Sequence, residues 1–136
     1  MSYKPNHRAS FLPYLTVRNA QASIDFYTRA FGFELCSEPV VEKEIIIHAE
    51  LKLHDVTIML CPEGAFETKK KSPFSTGQII PVVFYVYVPR VNDFYLNAKQ
   101  NGAIVISEPQ DKIWGDRSCE LADIDGYHWS FASCIC

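Results

Sequence analysis

His48 and Glu50 stand two positions apart in the alternating run from Ile45 to Leu53. A strand there puts both side chains on one face. Glu120 is the counterpart of Glu50 in the second half of the chain, and His128 follows it. Two imidazoles and two carboxylates suit a divalent cation such as zinc. If a divalent metal binds at a non-standard site, its ligands are His48, Glu50, Glu120 and His128. The competing reading makes the two glutamates rim carboxylates and His48 a hydrogen-bonding residue within its sheet, and no cofactor is then expected.

A second group is aromatic. In Trp114-Gly115-Asp116-Arg117 the glycine allows a bend that turns the indole toward a cleft. An indole offers a stacking face to a flat or cationic ligand. Arg117 suits a two-pronged contact with a carboxylate or phosphate, or a pairing with Asp116, Asp123 or Asp125. Trp114 serves equally as packing at an interface between chains. Tyr14, Thr16, Tyr85 and Tyr87 share the polar face of their strands, with Met59 and Ser130 beside them on later strands. The expected ligand-binding cleft is therefore Tyr14, Thr16, His48, Glu50, Met59, Tyr85, Tyr87, Trp114, Arg117 and Ser130. Other chemistries lack their motifs. The 6 glycines are scattered and form no phosphate-cradling loop. Ser130 and His128 have no evident third group to orient them as a nucleophile and its base.

These residues need a scaffold, and the chain carries one twice. Ser37-Glu38-Pro39 returns as Ser107-Glu108-Pro109, and Glu50-Leu51 as Glu120-Leu121. Asp25-Phe26-Tyr27 returns as Asp93-Phe94-Tyr95, Gly32 as Gly102 and Asp55 as Asp125. Each half reads as strand, helix and three strands. In the first, a strand from Phe11 to Val17 precedes a helix that Asn19 caps and Gly32 ends. Strands at Phe33 to Ser37 (stopped by Pro39), Ile45 to Leu53 and Val56 to Cys61 follow. In the second, strands at Val82 to Val88, Ala103 to Ser107 (stopped by Pro109), Arg117 to Ala122 and Tyr127 to Ser133 accompany a helix from Val91 to Gln100. Leu15, Val17, Val86 and Val88 are expected to face the helices, as is the apolar set Ile45, Ile47, Ala49, Leu51 and Leu53. The fold class is α+β: two tandem βαβββ modules forming curved mixed sheets around a cleft. Residues 1–10 are expected as a flexible leader and residues 11–133 as one domain, with modules 11–61 and 80–133 and a linker at 62–79.

Composition bounds the function. A net charge of −3 in 136 residues argues against a nucleic-acid surface. No run approaches the apolar length of a membrane span, and the first ten residues lack a secretory signal's apolar core. The 5 cysteines show no Cys-x-x-Cys spacing and read as free thiols of a reducing cytoplasm.

Local motifs narrow the reading. Pro13-Tyr14-Leu15-Thr16-Val17 leads into Ile24-Asp25-Phe26-Tyr27, Ala30-Phe31-Gly32 and His48-Ala49-Glu50-Leu51. Trp114-Gly115-Asp116-Arg117 and Asp123-Ile124-Asp125-Gly126-Tyr127-His128-Trp129 come later. In order and spacing the set resembles the vicinal oxygen chelate superfamily of glyoxalases, bleomycin resistance proteins and extradiol dioxygenases, in its PhnB-like branch. The resemblance implies a glyoxalase-like domain, a small-molecule ligand and a homodimer whose clefts draw on both chains. Enzymes of this superfamily hold a divalent metal with one side chain from the first and one from the last strand of each module. Those positions fall here at Leu12 or Tyr14, Met59, Val83 or Tyr85, and Ser130, which are poor ligands for such an ion. The resemblance thus implies a binding protein without the usual metal site. The alternative is a metal-dependent lyase, isomerase or dioxygenase with displaced ligands.

Overall fold

The computed structural model describes residues 2–136. Module one runs β1 (Tyr14–Val17), α1 (Ala20–Phe31), β2 (Glu34–Leu35), β3 (Val40–Glu42), β4 (Ile45–Leu53) and β5 (Val56–Pro62). A 3-10 turn (Ala65–Glu67) and a short helix α2 (Pro73–Thr76) cross to module two. That module runs β6 (Val83–Tyr87), α3 (Val91–Gln100), β7 (Ile104–Asp111), β8 (Asp116–Ala122) and β9 (His128–Cys134).

The ends of α1 follow from side-chain chemistry. Asn19 accepts a hydrogen bond from the Ala22 amide, satisfying one of the donors a helix start leaves free. Gly32 sits at φ 76°, the left-handed conformation that closes a helix at little cost to glycine. Between these ends, Ile24, Phe26, Tyr27, Ala30 and Phe31 are buried.

The two sheets are equivalent and mixed. In module one the order is β1-β5-β4-β2, with β3 also on β4; in module two it is β6-β9-β8-β7. The first strand of each module lies parallel to the last, after a helical crossover that covers one face. Helices α1 and α3 pack on each other and on the apolar sheet faces. Phe31 contacts the rings of Phe94, Trp129 and Phe131, so neither module has a core of its own. This sharing suits halves too small to be stable alone.

A polar joint ties the halves. The turn between β8 and β9 offers Asp123 and Asp125, both buried. Asp125 accepts from the Arg18 guanidinium and the Ser23 hydroxyl, and Asp123 from the Tyr27 hydroxyl and the Trp129 indole. Burial pushes the Asp123 carboxyl up to about 6, although those donors oppose the shift.

Several expectations are corrected. Pro39 interrupts the second strand, but pairing resumes as β3, which hairpins onto β4 through Lys43 and Glu44 at φ 52° and 68°. Pro109 does not end β7: the strand bulges between Ser107 and Gln110 and continues to Asp111. The linker carries the 3-10 turn and α2. Ile45, expected on the helix side, is exposed at the start of β4. Cys134 and Cys136, expected as thiols, are joined as a disulfide, with Cα atoms 5.4 Å apart. Cys36, Cys61 and Cys119 are free.

Candidate functional site

Alternation along β1, β4 and β5 brings one set of expected residues together. Tyr14 is the Cα partner of Met59, and Met59 of Glu50. The Tyr14 hydroxyl lies 2.8 Å from His48 Nδ1, and His48 Nε2 lies 2.9 Å from Glu50 Oε2. The other Glu50 oxygen pairs with Arg8. Burial pushes the Glu50 carboxyl up, but the His48 hydrogen bond and the Arg8 charge outweigh it and leave the carboxyl below its ordinary range. An ionised Glu50 only accepts, so His48 donates to it from Nε2 and meets the Tyr14 hydroxyl at Nδ1. The phenol stays protonated, because burial and the nearby Cys61 push its pKa upward.

This wall borders a cavity of about 470 Å³ lined by Tyr14, Thr16, Cys61, Phe66, Thr68 and Lys70, with Ala65. Tyr14, Thr16 and Cys61 come from the polar sheet face. The others come from the segment after β5, which the sequence reads only as a linker. Arg8 is also invisible to sequence reasoning, because its partner lies 42 positions away. Phe66 alone carries a hint: an aromatic residue in a polar stretch.

Module two presents a second wall. Tyr85 pairs in register with Ser130, and Ser130 with Glu120. Tyr85 and Tyr87 both donate to Asp116 Oδ2, at 2.6 and 2.7 Å, and the Trp114 indole donates to the Tyr85 hydroxyl at 3.1 Å. His128 Nδ1 lies 2.8 Å from Glu120 Oε2. Arg117 is not part of this wall. Its guanidinium donates to Asn92 and Asp111, not to the three aspartates considered from sequence.

The four residues of the non-standard metal set are thus divided into His48 with Glu50 on one sheet and His128 with Glu120 on the other. Among the described residues no group of three or more His, Cys, Asp or Glu is placed to hold a metal ion. The register also tests the usual positions. Tyr14 faces Met59 and Tyr85 faces Ser130. Burial raises the pKa of both phenols, so neither offers a phenolate. A thioether, a hydroxyl and two protonated phenols do not fit a hard or borderline divalent ion.

Comparison with known proteins agrees with this architecture. Residues 5–131 match the family described as "Glyoxalase/Bleomycin resistance protein/Dioxygenase superfamily". An uncharacterized protein of Mycobacterium bovis, Mb0911c, is 34% identical over 128 residues, spanning 92% of this chain and 83% of its own. The crystal structure of TioX from Micromonospora sp. ML1 superposes with a TM-score of 0.73 at 25% identity, covering 92% of this chain and 98% of TioX. A glyoxalase/bleomycin resistance protein/dioxygenase family enzyme from Burkholderia phytofirmans shares the fold, with a TM-score of 0.71 at 18% identity over 90% of this chain and 96% of its own.

Proposed function

Because the chain belongs to the glyoxalase/bleomycin resistance protein/dioxygenase superfamily, we propose that it is a small-molecule-binding protein of that fold which works without the usual catalytic metal. One observation carries the reading: the positions where the superfamily's enzymes place metal ligands hold Tyr14 with Met59 and Tyr85 with Ser130. Tyr14 of the first pair lines the 470 Å³ cavity, a volume in the range of small-molecule sites. Tyr14 gives that cavity a hydrogen-bonding tip, Phe66 a stacking face and Lys70 a positive charge. The ligand is flat or amphipathic and is sequestered or sensed rather than turned over.

The two walls share no hydrogen bond among the described residues, and in one chain each is open to solvent. We therefore extend the proposal to a homodimer in which the module-one wall of one chain faces the module-two wall of the other. The PhnB-like branch and a cytoplasmic location belong to the same proposal. The metal-enzyme alternative requires His48, Glu50, Glu120 and His128 to converge; within one chain they stand on different sheets, each imidazole bonded to its own carboxylate, so it would need the second chain to bring the pairs together.

The anionic aromatic dye 1-anilinonaphthalene-8-sulfonate tests the cavity in the presence of EDTA. Saturable binding is expected, and Cys61→Phe, which fills the cavity, abolishes it. No binding, or binding indifferent to Cys61→Phe in a folded variant, overturns the proposal.

A further inference from the structure

The module-two wall contains a carboxylate without a counter-ion. Asp116 is buried, yet among the described residues it makes no ion pair. Two tyrosine hydroxyls meet on its Oδ2 atom, and among the described residues no hydrogen bond is made to Oδ1. These donors hold the carboxyl below its ordinary range, so it is ionised at neutral pH. A buried negative charge held only by neutral donors attracts a cation strongly.

The side chains around it are aromatic and open. Tyr85 and Tyr87 lie with ring centroids 5.7 Å apart and planes at 70°, forming two sides of a corner. The Trp114 indole joins them through the Tyr85 hydroxyl. Trp114 is 62% exposed and Tyr87 59%, so their faces are free for a ligand. Beneath them β9 presents Ser130 and Ala132, small residues in register with Tyr85 and Tyr87. No large side chain of that strand separates the rings from Asp116. Aromatic faces carry the negative end of the ring quadrupole, and several around one carboxylate favour a cation whose charge is spread over alkyl groups.

We propose that Tyr85, Tyr87, Trp114 and Asp116 form a binding site for an organic cation of the alkylammonium class. The site rests on the small-molecule-binding reading and adds the ligand's charge. The cation lies against the tyrosine and indole faces while Asp116 neutralises it from below. A purely structural Asp116 would serve only to fix the two tyrosines.

Choline and its neutral isostere 3,3-dimethylbutan-1-ol separate these roles. Trp129 is buried, so the solvent-sensitive part of the indole emission reports Trp114. Choline is expected to shift that emission saturably, and the alcohol to bind at least about tenfold more weakly. Asp116→Asn keeps an acceptor for the tyrosines and so keeps the fold, while weakening choline by about tenfold. Equal binding of choline and the alcohol, or unchanged choline affinity in Asp116→Asn, overturns the proposal. Dye binding in the module-one cavity with no choline response defeats this site alone. Absence of both responses defeats the binding reading with it.

Discussion

At the scale of single residues, two carboxylates behave in opposite ways. Asp123 lies in the joint between modules, and burial dominates it. Its carbon resonance is expected to titrate near pH 6 in the native protein, and a midpoint below 4 would contradict the account. Between the ordinary aspartate range and about 6, the native state keeps a proton the unfolded chain has released. This residue's contribution to stability therefore falls as pH rises through that window. Glu50 has the reverse sign, because His48 and Arg8 hold its carboxyl down. Its contribution is in force above the ordinary glutamate range and is lost as pH falls through its lowered native value. Removing Arg8 leaves a buried carboxylate with His48 alone. Arg8→Ala is expected to cost about 1–2 kcal/mol in urea unfolding at pH 7, at the low end for a broken pair because the arginine is partly exposed. An unchanged midpoint would show that the ion pair is idle.

At the scale of elements, the turns give the clearest tests. Lys43 and Glu44 both occupy the left-handed region in the β3–β4 hairpin. Glu44→Gly relieves one of these conformations and is expected to stabilise by about 1 kcal/mol. A lower melting temperature would mean that the turn takes another form. Gly126 sits at φ +88°, where an added Cβ would lie 3.1 Å from both the Phe74 amide nitrogen and Pro73 Cβ. Gly126→Ala should therefore cost about 1–3 kcal/mol and loosen α2 from the turn that carries Asp123. Retained stability would show that the contact yields freely. Much of this scale is legible in the sequence. Helical spacing with Asn19 and Gly32 defined α1, and strict alternation defined β4 and its His48–Glu50 face. The sequence misleads where a proline reads as a stop. Pro39 lies before a polar hairpin that resumes pairing, and Pro109 lies in a bulge that tolerates a missing amide. The 65–70 segment reads as a connector because polar composition does not reveal which loop lies beside a sheet face. Side-chain faces follow from alternation, but partners distant in sequence, such as Arg8 with Glu50 and Arg117 with Asn92, leave no local trace.

At the scale of the whole molecule, internal duplication places its chemistry on two walls. The shared aromatic core fixes the modules back to back through their helices, so each polar face is displayed outward. If a second chain completes the cleft, light scattering should give twice the 15.5 kDa chain mass, and a monomer at all concentrations would remove that part of the proposal. The walls differ in character: one offers Tyr14, Phe66 and Lys70 around a cavity, the other three aromatic rings around Asp116. Each wall carries one imidazole–carboxylate pair, His48 with Glu50 or His128 with Glu120, bonded to each other, and the usual metal positions hold Tyr14, Met59, Tyr85 and Ser130, which are poor donors for the ion that chelates vicinal oxygens. The most direct test of that claim is elemental analysis of protein purified without chelator and then offered zinc, nickel, manganese or iron(II). The account predicts metal far below one ion per chain after dialysis. One tightly held divalent ion per chain would contradict it.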